Sequence, residues 1–318
     1  MRQKTEQIQQ ELKKVIVGKD ECLSKILMAV LAGGHILLED VPGVGKTQTA
    51  VAFSRVMNLN YHRVQFTADT MASDLVGFSI WNKESERLEY VPGAVFCNLL
   101  LADEINRTSA KTQAALLEVM EEQKVTVDGS TYDLSAPFVC IATQNPIGSA
   151  GTQRLPDSQL DRFMICLSIG YPSIQEQLQI VKARQAGINP LDQVAQVVTK
   201  EELLFMMDEV NRCYVHDDVV LYAARLCEQT RAHPDILQGV SPRGVLAFIQ
   251  MAKGKAYVEG RDFVAPKDVK DLYQDVCGHR ILLTAKARMH HMKEKDILLQ
   301  ILEEVKEPSI LKREKSHK

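Results

Sequence analysis

The spacing of apolar positions changes along the chain, and with it the kind of structure predicted. Near the start, Ile8, Leu12, Val15 and Ile16 keep helical spacing, which predicts an amphipathic helix before Val17-Gly18. A second helix is predicted from about Asp20 to Leu31. Short apolar runs then predict strands near 35–39, 61–66, 95–102, 137–143 and 163–169, with helical stretches opening at Lys46 and at Thr108. Strands alternating with helices argue for an α/β fold with a parallel sheet covered by helices on both faces. Two segments alternate apolar and polar residues about a polar centre, Ile80 to Val91 and Lys124 to Leu134. Both read as hairpins, the second with Asp128-Gly129 as its turn. From Ser173 onward strand signals stop. Thr199 with Glu202 forms a capping box, Ser241-Pro242 is an N-cap followed by proline, and Pro266 opens another helix. The predicted division is an α/β core over 1–172, an all-α lid over 173–305 and a polar, basic tail over 306–318. Such a tail reads as a frayed end rather than a nucleic-acid arm.

Chemistry enters at the first predicted strand. Ile36, Leu37 and Leu38 feed a tight loop with Pro42, Gly43 and Gly45, and a helix opens at Lys46-Thr47. Strand, glycine loop and helix in that order build a phosphate cradle. Glycines let backbone N–H groups curl around an anion, and the helix N-terminus adds partial positive charge. Lys46 would reach the β- and γ-phosphates of a nucleoside triphosphate, and the Thr47 hydroxyl would ligate magnesium. The strict pattern has glycine where this chain has Asp40. An ordinary glycine turn is the plain alternative.

A second acidic feature bears on hydrolysis. The run Val95 to Ala102 ends in Asp103-Glu104. An acid at the carboxyl end of a parallel strand faces the crevice where ligands bind. Asp103 would hold the magnesium shell and Glu104 would be the general base. The plain alternative is an acidic pair capping the next helix.

The segment Leu38-Glu-Asp-Val-Pro-Gly-Val-Gly-Lys-Thr47, with Leu101-Ala-Asp-Glu-Ile-Asn-Arg107, resembles the MoxR group of AAA+ ATPases. Further matches follow in order: Lys111 to Glu118, Ala142-Thr-Gln-Asn-Pro146, Leu160-Asp-Arg-Phe163 and Ser241-Pro-Arg243. The resemblance runs from about Val17 to about Val276. It implies a phosphate-loop AAA+ core whose cofactors are ATP and Mg2+. Nucleotide-binding residues would be Val17 and Gly18 beside the adenine ring, then Pro42, Gly43, Val44, Gly45, Lys46, Thr47, Gln48 and Asp103. Gly18 reads equally well as a plain helix stop. Asn145 would orient the lytic water, or simply be a turn residue before Pro146. Arg162 resembles the arginine finger supplied by a neighbouring subunit. It reads otherwise as a surface partner of Asp161 or Asp157. Arg243 opposes the dipole of a lid helix unless an anion compensates, which favours a nucleotide contact. The hairpins resemble those that face a central pore or partner in related proteins, though both fit a simple extension of the sheet edge. Trp81, the only tryptophan, fits a core anchor or a contact residue.

Composition narrows the classes that remain. Hydrophobic residues make up 45% and the net charge is −3, so two cored domains fit and no global pull toward nucleic acid is expected. No apolar run approaches the roughly 20 residues of a membrane span. The opening Met1-Arg-Gln-Lys-Thr-Glu6 lacks a secretion signal, and seven scattered cysteines argue against a disulfide framework, so a cytoplasmic location is expected. The histidines show no metal spacing, and no nucleophile elbow occurs. The resemblance implies an ATPase working as a homo-oligomer, a hexameric ring, which remodels or matures a client protein with a von Willebrand A-type adaptor. Two alternatives stay open: the motor subunit of a metal chelatase, and an ATP-gated scaffold with little turnover.

Overall fold

The computed structural model describes residues 1–145, 155–187 and 189–308. Its strands are β1 (Ile36–Glu39), β2 (Tyr61–Gln65), the pair β3 (Phe78–Asn82) and β4 (Arg87–Val91), β5 (Leu99–Asp103), the pair β6 (Lys124–Val127) and β7 (Ser130–Asp133), β8 (Val139–Gln144) and β9 (Ile165–Leu167). Five of these form one sheet in the order β2-β5-β8-β1-β9, and every neighbouring pair is parallel. The first two helices, α1 (Gln3–Lys13) and α2 (Asp20–Leu31), precede the sheet, and α3 (Lys46–Val56) follows β1. The short α4 (Ala72–Val76) precedes the first hairpin, α5 (Ala110–Glu122) follows β5, and α6 (Asp157–Leu160) leads toward β9.

Alternation in the strands separates two apolar layers. Ile36, Leu38, Leu99, Leu101, Val139 and Ile141 face the side covered by α1, α2 and α3. Leu37, Leu100, Ala102, Cys140 and Ala142 face the other side with Leu116 and Met120 of α5. Both faces are covered, so β5 is buried at every residue. The predicted strand at 95–102 starts later than its apolar run. Val95 and Cys97 are buried, but their amides bond to the carbonyls of Leu75 and Val95 instead of joining a strand.

After β9 the chain continues through α7 (Ile174–Gln185), α8 (Lys200–Asn211), α9 (Asp217–Ala232), α10 (Pro242–Val258), α11 (Pro266–Cys277), α12 (Ala285–Met289) and α13 (Glu294–Glu304). The expected caps are present: Thr199 with Glu202 on α8, Ser241 then Pro242 on α10, and Pro266 opening α11. The expectation that strands end at Ser173 needs one correction. An antiparallel ladder joins β10 (Ile236–Gln238) to β11 (Leu282–Leu283), segments too short for alternation to register. The apolar layer above α2 runs on without a break into α8–α11 and α13. By contrast, α7 buries none of its residues.

Both hairpins form where expected, and neither extends the main sheet. Asp128 and Gly129 both have positive φ, 50° and 78°, as a tight two-residue turn requires. Tyr90 of β4 stacks on Tyr132 of β7 with centroids 4.1 Å apart, so the two hairpins support each other. Trp81 is 61% exposed and lies opposite Leu88, also 61% exposed. That exposure removes the core-anchor reading.

Candidate functional site

A cleft of about 480 Å3 opens where β1, β5 and β8 end. Gly45 sits at φ 99° as the residue before α3, and Gly43 at φ 88°, a region that L side chains rarely adopt. That backbone carries Lys46 into the cleft almost wholly buried, its Nζ donating to the Asp40 carbonyl at 2.7 Å. Burial lowers the Lys46 ammonium from the ordinary lysine value, while Asp40, Asp103 and Glu104 pull it back up. Anionic phosphate entering there would oppose the cost of that burial.

The Asp40 side chain does separate work. Its carboxylate accepts from Ser168 Oγ at 2.8 Å and from the amides of Ile169 and Gly170. The departure from the usual glycine therefore ties the phosphate loop to the exit of β9.

Asp103 and Glu104 end β5 with different surroundings. Asp103 accepts from Thr143 Oγ1 at 2.6 Å and pairs with Arg63 of β2 at 2.7 Å. Glu104 has a left-handed backbone, φ 60°, and its amide donates to Thr143 Oγ1 at 2.9 Å. Its carboxylate accepts from Asn145 Nδ2 at 2.9 Å and from Arg107 Nη1 at 3.1 Å. The acidic pair does not cap the following helix, because Ser109 does so by accepting from the Thr112 amide. That helix starts at Ala110, two residues later than expected. Asn145 is held in turn through its carbonyl, which accepts from buried Asn106 Nδ2 at 3.2 Å.

Val17, Pro42, Gly43, Val44, Gly45, Lys46, Thr47, Gln48, Asp103, Glu104 and Asn145 all line this one cleft. Gly18 does not; its φ is 74°, and a Cβ there would collide with the Glu176 side chain of α7. It is not the stop of the first helix either, since α1 ends at Lys13. Pro146 of the expected Asn-Pro turn lies outside the described residues. Sequence reasoning missed Arg63 and the α7 residues Gln179, Ile180 and Arg184 at the cleft wall, and Thr143 buried behind Asp103 and Glu104. Thr143 sits inside a motif already singled out, whereas Arg63 and α7 carry no local signal.

A triphosphate with its magnesium suits these groups: a positive-φ loop, a buried lysine, the Thr47 hydroxyl and the Asp103 carboxylate as hard oxygen donors.

Arg162 and Arg243 lie elsewhere. Arg162 Nη1 donates to the Leu117 carbonyl at 2.7 Å and pairs with Glu121 at 3.2 Å, while Asp161 pairs with Arg280. Arg243 pairs with the same Glu121. The two arginines share a small depression beside His35 and Met120. Neither lines the phosphate-loop cleft, so Arg243 does not reach its own subunit's cleft as a lid contact would. The cause is the seating of α10, whose buried face (Phe248, Met251, Ala252) packs into the layer above α2 and turns its N-terminus toward α5.

Residues 35–165 match the ATPase family associated with various cellular activities (AAA), and 228–301 match the AAA lid domain. Among curated proteins, the chain is 42% identical over 299 residues to the uncharacterized protein YeaC of Bacillus subtilis, covering 94% of this chain and 93% of that one. It is 37% identical over 309 residues to Chaperone MoxR1 of Mycobacterium tuberculosis, covering 94% and 81%. A crystal structure from Cytophaga hutchinsonii, provisionally named an ATPase, superposes with a TM-score of 0.89 at 35% identity over 97% of this chain and 96% of that one. No helix among the described residues is long and apolar enough to cross a membrane. With a phosphate-loop cleft on a parallel sheet, a helical lid and a MoxR-named relative matched over most of its length, this chain belongs to the MoxR family of AAA+ ATPases.

Proposed function

We propose that this chain hydrolyses ATP at the interface between copies of itself and uses the cycle to remodel a client protein. One observation carries the reading: Glu104 and Asn145 meet at 2.9 Å in the cleft that holds Lys46, while Arg162 and Arg243 are gathered on a different face. One copy therefore offers a phosphate site lacking those arginines, and a neighbour offers arginines lacking a phosphate.

In this mechanism the loop amides and Lys46 bind the β- and γ-phosphates. Thr47 and Asp103 would hold magnesium, which when bound neutralises charge on the phosphate oxygens. Asn145 keeps the Glu104 carboxylate aimed into the cleft. Glu104 takes a proton from water as its oxygen attacks the γ-phosphorus and the bond to the β-phosphate oxygen breaks. Arg162 of the adjacent copy offsets the charge spread over the transferred group, and Arg243 reinforces it from the lid. The exposed Trp81–Leu88 pair on the first hairpin is the proposed client contact. A hexameric ring, a cytoplasmic location and a von Willebrand A-type adaptor complete the proposal.

The test is Glu104→Gln. It should bind an ATP analogue like wild type, lower Mg-dependent turnover by on the order of a hundredfold or more, and form a persistent ring with ATP on sizing chromatography. Wild-type turnover would remove Glu104 as the base.

A further inference from the structure

Asp161, immediately before Arg162, is the point where two lid elements grip the core. Its Oδ1 accepts from Arg280 Nε at 2.9 Å, and its Oδ2 accepts from Ser241 Oγ at 2.7 Å. Arg280 follows α11, and its side chain is 1% exposed. Its remaining donors go to the carbonyls of Asp161 at 3.2 Å, Phe163 at 2.6 Å and Met164 at 3.1 Å, and to that of Val276. One buried guanidinium thus holds the backbone on both sides of Arg162. Burial lowers the Arg280 pKa, which Asp161 opposes, so the carboxylate is the natural counter-charge of a group otherwise costly to bury. Ser241 is the N-cap of α10, accepting from the Gly244 amide at 3.1 Å, and Arg243 lies two residues further on. Both arginines then meet at Glu121.

We propose that Asp161, with Ser241 and Arg280, is a positioning latch that sets Arg162 and Arg243 jointly to the angle of the lid. A lid shift that pulls on Ser241 or Arg280 moves the backbone carrying Arg162, because no slack residue intervenes. The latch reads the lid of its own subunit and acts on the nucleotide of its neighbour. This inference rests on the trans role proposed for Arg162.

The experiment uses Asp161→Asn and Ser241→Ala in the full chain. Each variant should bind a non-hydrolysable ATP analogue within about twofold of wild type. Turnover should fall by on the order of ten- to a hundredfold for Asp161→Asn, the scale of a misplaced catalytic group, and by less for Ser241→Ala. A merely structural defect would stay with its own subunit. The latch predicts the reverse: mixing either variant with Lys46→Ala, which has a sound Arg162, should restore part of the turnover. Thr284→Ala removes another lid N-cap of the same kind without touching Asp161, and should turn over normally. If Asp161→Asn fails to fold, Ser241→Ala alone decides. Wild-type turnover in the folded variants overturns the latch. So does a loss that Lys46→Ala does not repair while the mixture of Arg162→Ala with Lys46→Ala does recover. Normal turnover in Arg162→Ala would instead bring down the trans reading itself.

Discussion

The phosphate-loop cleft and the Arg162–Arg243 face are built on different principles. The cleft is made largely of backbone: two positive-φ glycines, a helix N-terminus and acids at strand ends, all fixed by the sheet beneath. The arginine face is made of long side chains held by partners far away in sequence, with Glu121 shared between a core arginine and a lid arginine. Exposed ion pairs of that kind contribute at most about 1 kcal/mol each, so they exchange partners at little cost. A rigid acceptor and a re-assignable donor on one chain suit a site completed between copies.

The strongest way to break the comparison is at the rigid side. Lys46→Ala should abolish measurable ATP-analogue binding in calorimetry, because the loop loses its only buried cation; wild-type affinity would sink the cradle. Arg162→Ala should leave binding intact and lower turnover by on the order of a thousandfold, the scale of other arginine fingers. Turnover is measured at concentrations where wild type assembles. Partial recovery on mixing the two dead variants would locate the arginine in the neighbour's site.

Legibility followed the same divide. A cradle formed by contiguous residues was readable because glycine, lysine and threonine spacing states the backbone geometry directly. The five parallel strands were readable from apolar runs, although the third of those runs, at 95–102, includes buried residues that do not pair as a strand until Leu99. Arg162 could be picked out as a residue type in a motif, yet its partner Glu121 could not, because helix α5 and the approach to β9 meet only in three dimensions. The position of Arg243 beside Glu121 was illegible for the same reason: helix-dipole arguments say that an anion is wanted, not which one. Arg280 gave no signal, since a buried arginine looks like a surface one until its carbonyl partners are known.

His35 joins the two regions and allows a smaller test. Its Nδ1 accepts from the Cys140 amide in β8 at 3.0 Å, and its Nε2 lies 3.0 Å from the Met120 carbonyl at the end of α5. Burial lowers its pKa from 6.5 to about 4, and burial also lowers that of His279. The neutral ring is the folded form, so the unfolded chain takes up the proton first as pH falls. Stability from His35 should be complete above pH 6.5 and decline toward pH 4, by about 3 kcal/mol at roughly 1.4 kcal/mol per unit. Urea midpoints across that window should fall less steeply in His35→Gln; an equal slope would exclude His35 as the titrating group. The smallest effect is expected at Trp81, where Trp81→Ala should change unfolding stability by less than about 0.5 kcal/mol, against roughly 3–5 kcal/mol for a core tryptophan. A loss in the larger range, read from urea unfolding, would mean that the hairpin packs its ring in solution.

Asp40 gives the rigid side a mechanical meaning. Three donors from Ser168, Ile169 and Gly170 converge on its one carboxylate, at the place where the chain leaves the sheet for α7. The first bend of the phosphate loop and the last bend of the core are thereby riveted together. A loop that tightens around its ligand would therefore pull on the stem of α7, a helix that buries none of its residues. Where the common loop has a bare glycine, this chain carries a crank.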